Sequence, residues 1–283
     1  MRQWRWTAAL AVLMLGACSQ QNTGDDAADE GAAEGAATET NQANSAGADE
    51  EEGGAVRPPL DPYPSTYERY PGETVLITGA TLLTGTGERI DNGSVLLEDG
   101  KIAAVGSAAA ITVPEGTATI DANGKWVTPG VIDIHSHLGD YPSPSNDSTS
   151  DGNEIVSPNT AYVWAEHSIW PQDSGFTRAL AGGITSLQIL PGSANLFGGR
   201  SSIIKNVPSR SVQGMKFPGA PYGLKMACGE NPKRVYGDRG GPDTRMGNMA
   251  GYRSAWIEAQ GYKKKWDDYW DGYEEWENDD SDD

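Results

Sequence analysis

The sequence predicts an α/β protein in which a small β-rich unit precedes the beginning of a parallel sheet or (β/α) barrel. Between residues 73 and 128, short apolar runs are separated by Gly, Asn and Asp, a pattern typical of short strands joined by turns. From residue 129 to 265, segments with strand and helix character alternate, which favours parallel strands connected by helices. Both ends of the 283-residue chain differ in composition from this central part.

Residues 1–18 have the pattern of an export signal. Two Arg precede an apolar stretch over residues 6–15, which is too short to span a bilayer of about 30 Å. Leu15-Gly16-Ala17-Cys18 resembles a bacterial lipobox, in which the Cys is acylated and becomes the mature N-terminus. We therefore expect a lipid-anchored protein of the periplasm or cell surface. Ser19 after the Cys favours the outer membrane of a Gram-negative bacterium, and an ordinary secretory signal that contains a Cys is the alternative.

Charge is concentrated in two flanking segments. Residues 19–56 and residues 266–283 each hold ten acids and no base, and together they account for most of the formal net charge of −19. The first segment lacks aromatic residues and cannot bury enough apolar surface to offset its ordering entropy, which predicts a disordered acidic linker. Nucleic acid is excluded as a partner, because phosphate binding needs clustered Lys and Arg.

The β-rich unit is predicted over residues 57–128. Its apolar runs include residues 75–77, 94–97 and 101–105, each flanked by turn residues. Asp99-Gly100 between two of these runs is a hairpin signal. Prolines at its start, over residues 58–64, stiffen the chain where it leaves the linker.

The first strand of the second unit, predicted over residues 129–265, carries two His. Val131 to Leu138 is a nearly continuous apolar run, as expected for a parallel strand buried on both faces. His135 and His137 are two residues apart, so their imidazoles point to the same side of the strand and can reach one ion. Further along, a helix capped by Asp173, a strand from residue 184 to 190, a loop with Gly198 and Gly199, a strand over residues 222–228 and a long helix from residue 242 are predicted.

These motifs together resemble the amidohydrolase superfamily, in its imidazolonepropionase-like and prolidase-like branch. The resemblance rests on Val127 to His137, on Ala181-Gly182-Gly183-Ile184-Thr185-Ser186 and on Gly229-Glu230-Asn231-Pro232-Lys233-Arg234. It implies a TIM-like barrel preceded by a β-sandwich-type domain. It also implies metal-dependent hydrolysis of C–N bonds in amides, cyclic amides or dipeptides, with one or two divalent ions, usually zinc.

The resemblance also implies roles for particular residues. His135 and His137 would bind the more buried ion, and Lys225 is the candidate for a carboxylated bridging ligand, with Glu230 as its competitor. Asn195, Gly198 and Gly199 could line the substrate pocket, although a tight turn explains them equally well. His167 and Cys228 are expected to have no role in the site.

The predicted barrel is partial. A barrel of this type needs about 250 residues, whereas residues 129–265 supply 137. Two further His and the Asp that activates the water would come from a C-terminal part, so we expect a complementing C-terminal half or an oligomer as partner. The leading hypothesis is a lipid-anchored amidohydrolase that is weakly active or inactive alone. The alternative is a non-catalytic surface lipoprotein that uses a half barrel as a binding module.

The acidic tail, residues 266–283, contains aromatic residues at helical spacing. Either an aromatic stripe on a helix or a frayed, disordered tail is compatible with this composition. The stripe consists of Trp266, Tyr269, Trp270, Tyr273 and Trp276.

Overall fold

The structure, a computed structural model, describes residues 56–279. The predicted signal, Cys18 and the linker up to residue 55 lie outside the described residues, as do residues 280–283. Within residues 56–279, no helix is long and apolar enough to cross a membrane.

The first part of the described chain is a five-stranded sheet with the order β3-β2-β1-β4, in which β5 also pairs with β1. The predicted hairpin between β2 and β3 is confirmed, because Asp99 (φ 50°) and Gly100 (φ 66°) form its turn with the two positive φ angles that such a tight turn needs. The strands are β1 (Val75–Leu83), β2 (Arg89–Glu98), β3 (Lys101–Ser107), β4 (Ala118–Asp121) and β5 (Trp126–Val127).

This sheet has a small apolar cluster on each face, since neighbouring residues of a strand point to opposite sides. Leu82 and Val95 lie in one cluster, and Leu76 and Leu96 in the other. A sandwich requires a second sheet facing the first, and residues 75–127 form only one. The described chain therefore gives the predicted β-rich unit but not the predicted sandwich.

The second part contains one parallel β–α–β unit, as the alternating pattern predicts. Strand β6 (Val131–Ser136) pairs in parallel with β7 (Ile184–Ile189), and helix α1 (Ser174–Ala181) lies between them in sequence. Asp173 caps α1 by accepting a hydrogen bond from the Gly175 amide. Strand β9 (Ser202–Lys205) then pairs antiparallel with β7. The mixed α/β class is confirmed, while the partial TIM-like barrel stays a prediction.

The main core lies against β7 and β9. Leu187, Ile189 and Ile204 are fully buried there and pack with Phe176 of α1 and with Met215. Strand β6 differs from expectation, because Val131, Ile132 and Ile134 are 51%, 66% and 72% exposed instead of buried on both faces. The physical reason is that β6 is an edge strand, paired on one side only.

The remaining elements are a two-stranded sheet and two helices. Gly198 and Gly199, predicted in a loop, lie in β8 (Phe197–Arg200), which pairs antiparallel with β10 (Leu224–Met226). Helix α2 (Glu230–Tyr236) follows, and α3 (Arg245–Asp279) continues through the predicted boundary at residue 265. The tail is thus helical as far as Asp279.

The residues before β1 form an extended N-terminal arm, residues 56–70, that packs against the second part of the chain. Asp61 is 2.8 Å from Lys216 Nζ, and Glu166 Oε2 is 2.9 Å from the same nitrogen. The Thr66 amide donates to Gln213 O, and Tyr70 Oη donates to Pro208 O. These contacts place the arm beside the second unit, although the sequence grouped it with the β-rich one.

Candidate metal site

The structure brings the two predicted His ligands together at the end of β6. His135 belongs to the strand and His137 follows it, and the centroids of their rings are 5.3 Å apart. The sequence predicts this juxtaposition, since side chains two residues apart on a strand share one face.

The orientation of His137 is fixed by a backbone carbonyl. Its Nδ1 lies 2.7 Å from Leu190 O, at the end of the adjacent strand β7. Because a carbonyl oxygen only accepts hydrogen bonds, Nδ1 carries the hydrogen, and in the neutral tautomer with this arrangement Nε2 has the free lone pair. Metal-binding His residues are commonly held in this way.

Lys225 reaches His135 from β10. Its Nζ lies 3.2 Å from His135 Nε2, and its side chain is buried. Burial lowers the pKa of the Lys225 ammonium below its usual value. The charge of Lys225 is the largest cause that lowers the pKa of His135, followed by burial and by His137, whereas Asp133 opposes the shift. The site therefore disfavours extra protons on both partners.

Gly198 and Gly199 lie beside Lys225 in the neighbouring strand β8. Gly199 is opposite Lys225 in the β8–β10 pairing, and its φ of 119° is one that side chains rarely adopt. A Cβ at Gly199 would lie 2.6 Å from Val163 Cγ2, and one at Gly198 would lie 3.5 Å from Lys225 Cγ. Both glycines therefore lie in closely packed surroundings, and their expected role in lining a substrate pocket stays a prediction.

Glu230, the competing bridge, points elsewhere. It is the first residue of α2, its side chain is 74% exposed, and its carboxylate pairs with Lys233 Nζ at 3.2 Å. The structure thus brings Lys225, and not Glu230, to the His pair.

Asn195 connects several segments of the fold through hydrogen bonds of its side-chain amide. It is fully buried, and its Nδ2 lies within hydrogen-bond distance of Glu154 O, Ser157 O and Tyr236 Oη. Its amide is used to join the loop over residues 154–160 to α2. The expected contact of Asn195 with substrate stays a prediction, and in this structure its amide group already has protein partners.

Two residues directly after His137 were missed by the sequence reasoning. Asp140 is fully buried, accepts a hydrogen bond from Ser168 Oγ at 2.8 Å and has no partner at Oδ2. Desolvation raises its pKa to about 7, against the effect of Ser168 and with a smaller contribution from Asp151. Tyr141 has its ring 6.1 Å from that of His137 and donates to Asn153 Oδ1. Their position just past the two His was the available signal.

A polar cavity of about 270 Å³ borders Gly198, on the strand that pairs with Lys225. Residues of the loops that follow β6 and β7 contribute to its walls. Its walls include Asp151, Asn153, Glu154, His167 and Pro191.

The donor atoms fit part of a metal site. Two neutral imidazole nitrogens are good zinc ligands. Lys225 carries an amine, and it would offer oxygen atoms to a metal ion only after carboxylation of that amine. Within residues 56–279, no group of three or more His, Cys, Asp or Glu side chains could hold a metal ion. Residues 56–279 therefore offer two conventional ligand candidates, His135 and His137, and one candidate that requires modification, Lys225.

Comparisons with known proteins agree on one superfamily. The amidohydrolase tasK of Hapsidospora irregularis is 36% identical over 190 residues, covering 63% of this chain and 19% of the relative. The imidazolonepropionase of Caulobacter vibrioides is 45% identical over 49 residues, covering 17% of this chain and 12% of the relative. The crystal structure of an amidohydrolase from Thermotoga maritima matches with a TM-score of 0.62 and 41% identity, covering 68% of this chain and 49% of that one.

The chain spans less than a quarter of these two curated relatives and about half of the Thermotoga protein. No protein-family model matches it.

Proposed function

Because the chain belongs to the amidohydrolase superfamily, we propose that it is part of a metal-dependent hydrolase of C–N bonds in amides, cyclic amides or dipeptides. The observation that carries the proposal is the convergence of His135, His137 and Lys225 from two different sheets of the fold. A buried Lys is costly unless it is paired or modified, and here it faces an imidazole.

We assign one or two divalent ions, with zinc as the simplest choice, to Nε2 of His135 and Nε2 of His137. Lys225 is the proposed carboxylated ligand. Such an ion, when bound, polarises a carbonyl oxygen and lowers the pKa of a water molecule.

The chain's own residues prepare this site. Leu190 O holds the His137 proton at Nδ1, so Nε2 is the ring nitrogen that would hold the ion. The neutral Lys225 amine attacks the carbon of carbon dioxide, forming a C–N bond and releasing one proton to solvent. The resulting carbamate is an anion with two oxygen atoms, so it can serve as a metal ligand where the neutral amine would not.

The cavity beside Gly198 is the proposed place for part of the substrate. Asn153 and His167 supply polar groups there, and Pro191 supplies an apolar wall. This composition suits an amide or a small peptide.

The decisive experiment is the metal content of the full chain, measured by elemental analysis. We expect bound zinc that is lost in the His135→Ala, His137→Ala double variant. His167→Ala is the matched control, since His167 is the remaining His and its ring packs against Tyr63 of the N-terminal arm. A folded chain without metal, or equal loss in His167→Ala, would remove the support for the enzyme and favour a non-catalytic binding module.

Carboxylation of Lys225 has its own test. Carbon-13 NMR after incubation with labelled bicarbonate should show a carbamate signal that disappears in Lys225→Gln. Lys101→Gln, at an exposed position, should retain the signal. A signal that survives Lys225→Gln would assign carboxylation to another residue.

We further propose that activity requires a complementing segment that supplies two His and an Asp. Adding such a segment should raise hydrolysis of dipeptides or cyclic amides above that of the chain alone. Complementation by a segment whose Asp and His are replaced would contradict the proposal.

Export and lipid anchoring at Cys18 are proposed from the lipobox pattern. Labelled palmitate should enter the wild-type chain and Cys228→Ser but not Cys18→Ser. Incorporation into Cys18→Ser would contradict the assignment.

A further inference from the structure

The last half of helix α3 presents a continuous aromatic face. Its rings recur at spacings of three and four residues, as side chains on one face of a helix do. Successive ring centroids lie 5.1 to 6.3 Å apart. Trp270 is buried and Tyr273 is partly exposed, whereas the other four rings are exposed to a third or more of their area. We define the acidic aromatic face as Tyr262, Trp266, Tyr269, Trp270, Tyr273 and Trp276, together with the carboxylates between them.

The charge on this part of the helix has one sign. Residues 266–279 contain seven acids and no base. Two of these acids, Asp267 and Asp268, pair with Lys263 and Lys264 one turn earlier. The remaining carboxylates lie nearer the end of the helix, so a ligand for the face should carry positive charge.

One cation of the chain already lies on the face. The guanidinium carbon of Arg57 is 4.8 Å from the ring centroid of Trp270, and Arg57 Nη2 is 3.7 Å from Glu274 Oε1. Val56 and Pro58 line a cavity of about 390 Å³ with Trp266 and Trp270, and Lys265 lies at the same cavity, before the acidic part of the helix begins. A planar guanidinium stacks on an aromatic ring while its N–H groups face a carboxylate, which a compact ammonium does less well.

We propose that the acidic aromatic face is a docking surface for a basic polypeptide segment that presents Arg side chains, and that Arg57 occupies one of its positions within the chain. A second copy of this acidic chain fits poorly, since like charges would oppose each other across the contact. Nucleic acid is repelled for the same reason. The surface is independent of the metal site.

The test is a titration of the full chain with a short peptide of alternating Arg and Gly, followed by Trp fluorescence and calorimetry. The Arg peptide should bind with an affinity that falls as salt is added. The corresponding Lys peptide should bind about threefold to fivefold more weakly, because it stacks less well. Equal affinity for the two peptides, or no binding of the Arg peptide at low salt, would overturn the proposal.

Single variants locate the contact. Trp266→Leu and Glu274→Gln should each weaken binding by about fivefold, the factor expected from one exposed cation–π or charged contact. Arg57→Ala should strengthen binding, because it removes the competing side chain. Trp126→Leu is the matched control, since Trp126 is an exposed Trp on the first sheet that also carries a stacked Arg.

Circular dichroism of each variant should show unchanged helix content. Binding that persists in Trp266→Leu and Glu274→Gln, or that is weakened equally by Trp126→Leu, would place the peptide elsewhere and overturn the proposal. Binding that is unaffected by Arg57→Ala would overturn the assignment of Arg57 as an internal occupant.

Discussion

Replacing Asp140 by Asn should make the chain more stable at neutral pH and leave it little changed at acidic pH. Asp140 is fully buried, and Oδ2 has no hydrogen-bond partner. Ser168 Oγ can still donate to the amide oxygen of Asn. The substitution therefore removes a buried charge and retains the hydrogen bond that the structure shows.

The magnitude follows from the pKa of Asp140, which desolvation raises from 3.8 to about 7. Between these two values the folded state binds a proton that the unfolded state has lost, so stability falls as pH rises. Each pH unit in this window costs about 1.4 kcal/mol, and the window of roughly three units gives an upper value of about 4 kcal/mol. The loss is absent below the unfolded pKa and complete above pH 7.

Urea unfolding of both chains at pH 4.5, 6 and 7.5, with a chelator present, measures this difference. The advantage of Asp140→Asn should grow steadily across the three conditions. Asp147→Asn is the control, because it removes an exposed carboxylate from the same loop and should give a small, constant difference. An advantage for Asp140→Asn that is independent of pH would refute the reasoning.

Three further substitutions test the fold. Glu166→Gln removes a buried carboxylate that pairs with Lys216 and should lower the free energy of unfolding by about 3 kcal/mol. The control Glu115→Gln, at an exposed position, should lower it by less than about 0.5 kcal/mol. Equal losses for the two variants in urea unfolding would contradict the buried pair. Gly199→Ala places a Cβ against Val163 at a φ of 119° and should cost about 2 kcal/mol by thermal unfolding. Leu187→Ala, in the core of β7, should cost about 2 to 5 kcal/mol and would disprove that packing if it cost under about 1.

The features that the sequence predicts well are those that short-range chemistry determines. Asp99-Gly100 forms the predicted hairpin turn because the turn needs positive φ at both positions, and Asp and Gly adopt positive φ more readily than most residues. Asp173 caps α1 because its carboxylate reaches an amide two residues away. His135 and His137 share a side because alternation along a strand requires it.

The features that the sequence predicts poorly depend on contacts between distant segments. Gly198 lies in a strand because β10 pairs with β8, and nothing in a Gly-rich stretch indicates that pairing. The side-chain amide of Asn195 lies within hydrogen-bond distance of partners around 40 residues away in sequence, which no local pattern indicates. Lys225 could be placed near the His pair from the family resemblance, whereas its 3.2 Å contact with His135 required the fold.

Strand β6 shows how the same sequence pattern can be correct about strand type and wrong about burial. Val131, Ile132 and Ile134 form the apolar run expected of a parallel strand, and β6 does pair in parallel with β7. Burial on both faces also needs a second neighbour and a covering layer, and residues 56–279 provide β6 with neither. The exposed aliphatic side chains and His135 thus lie on the same edge strand, and His137 follows directly after it. A segment that pairs with the free edge of β6 would bring new residues beside both sets of side chains, so metal affinity and the burial of Val131, Ile132 and Ile134 should increase together.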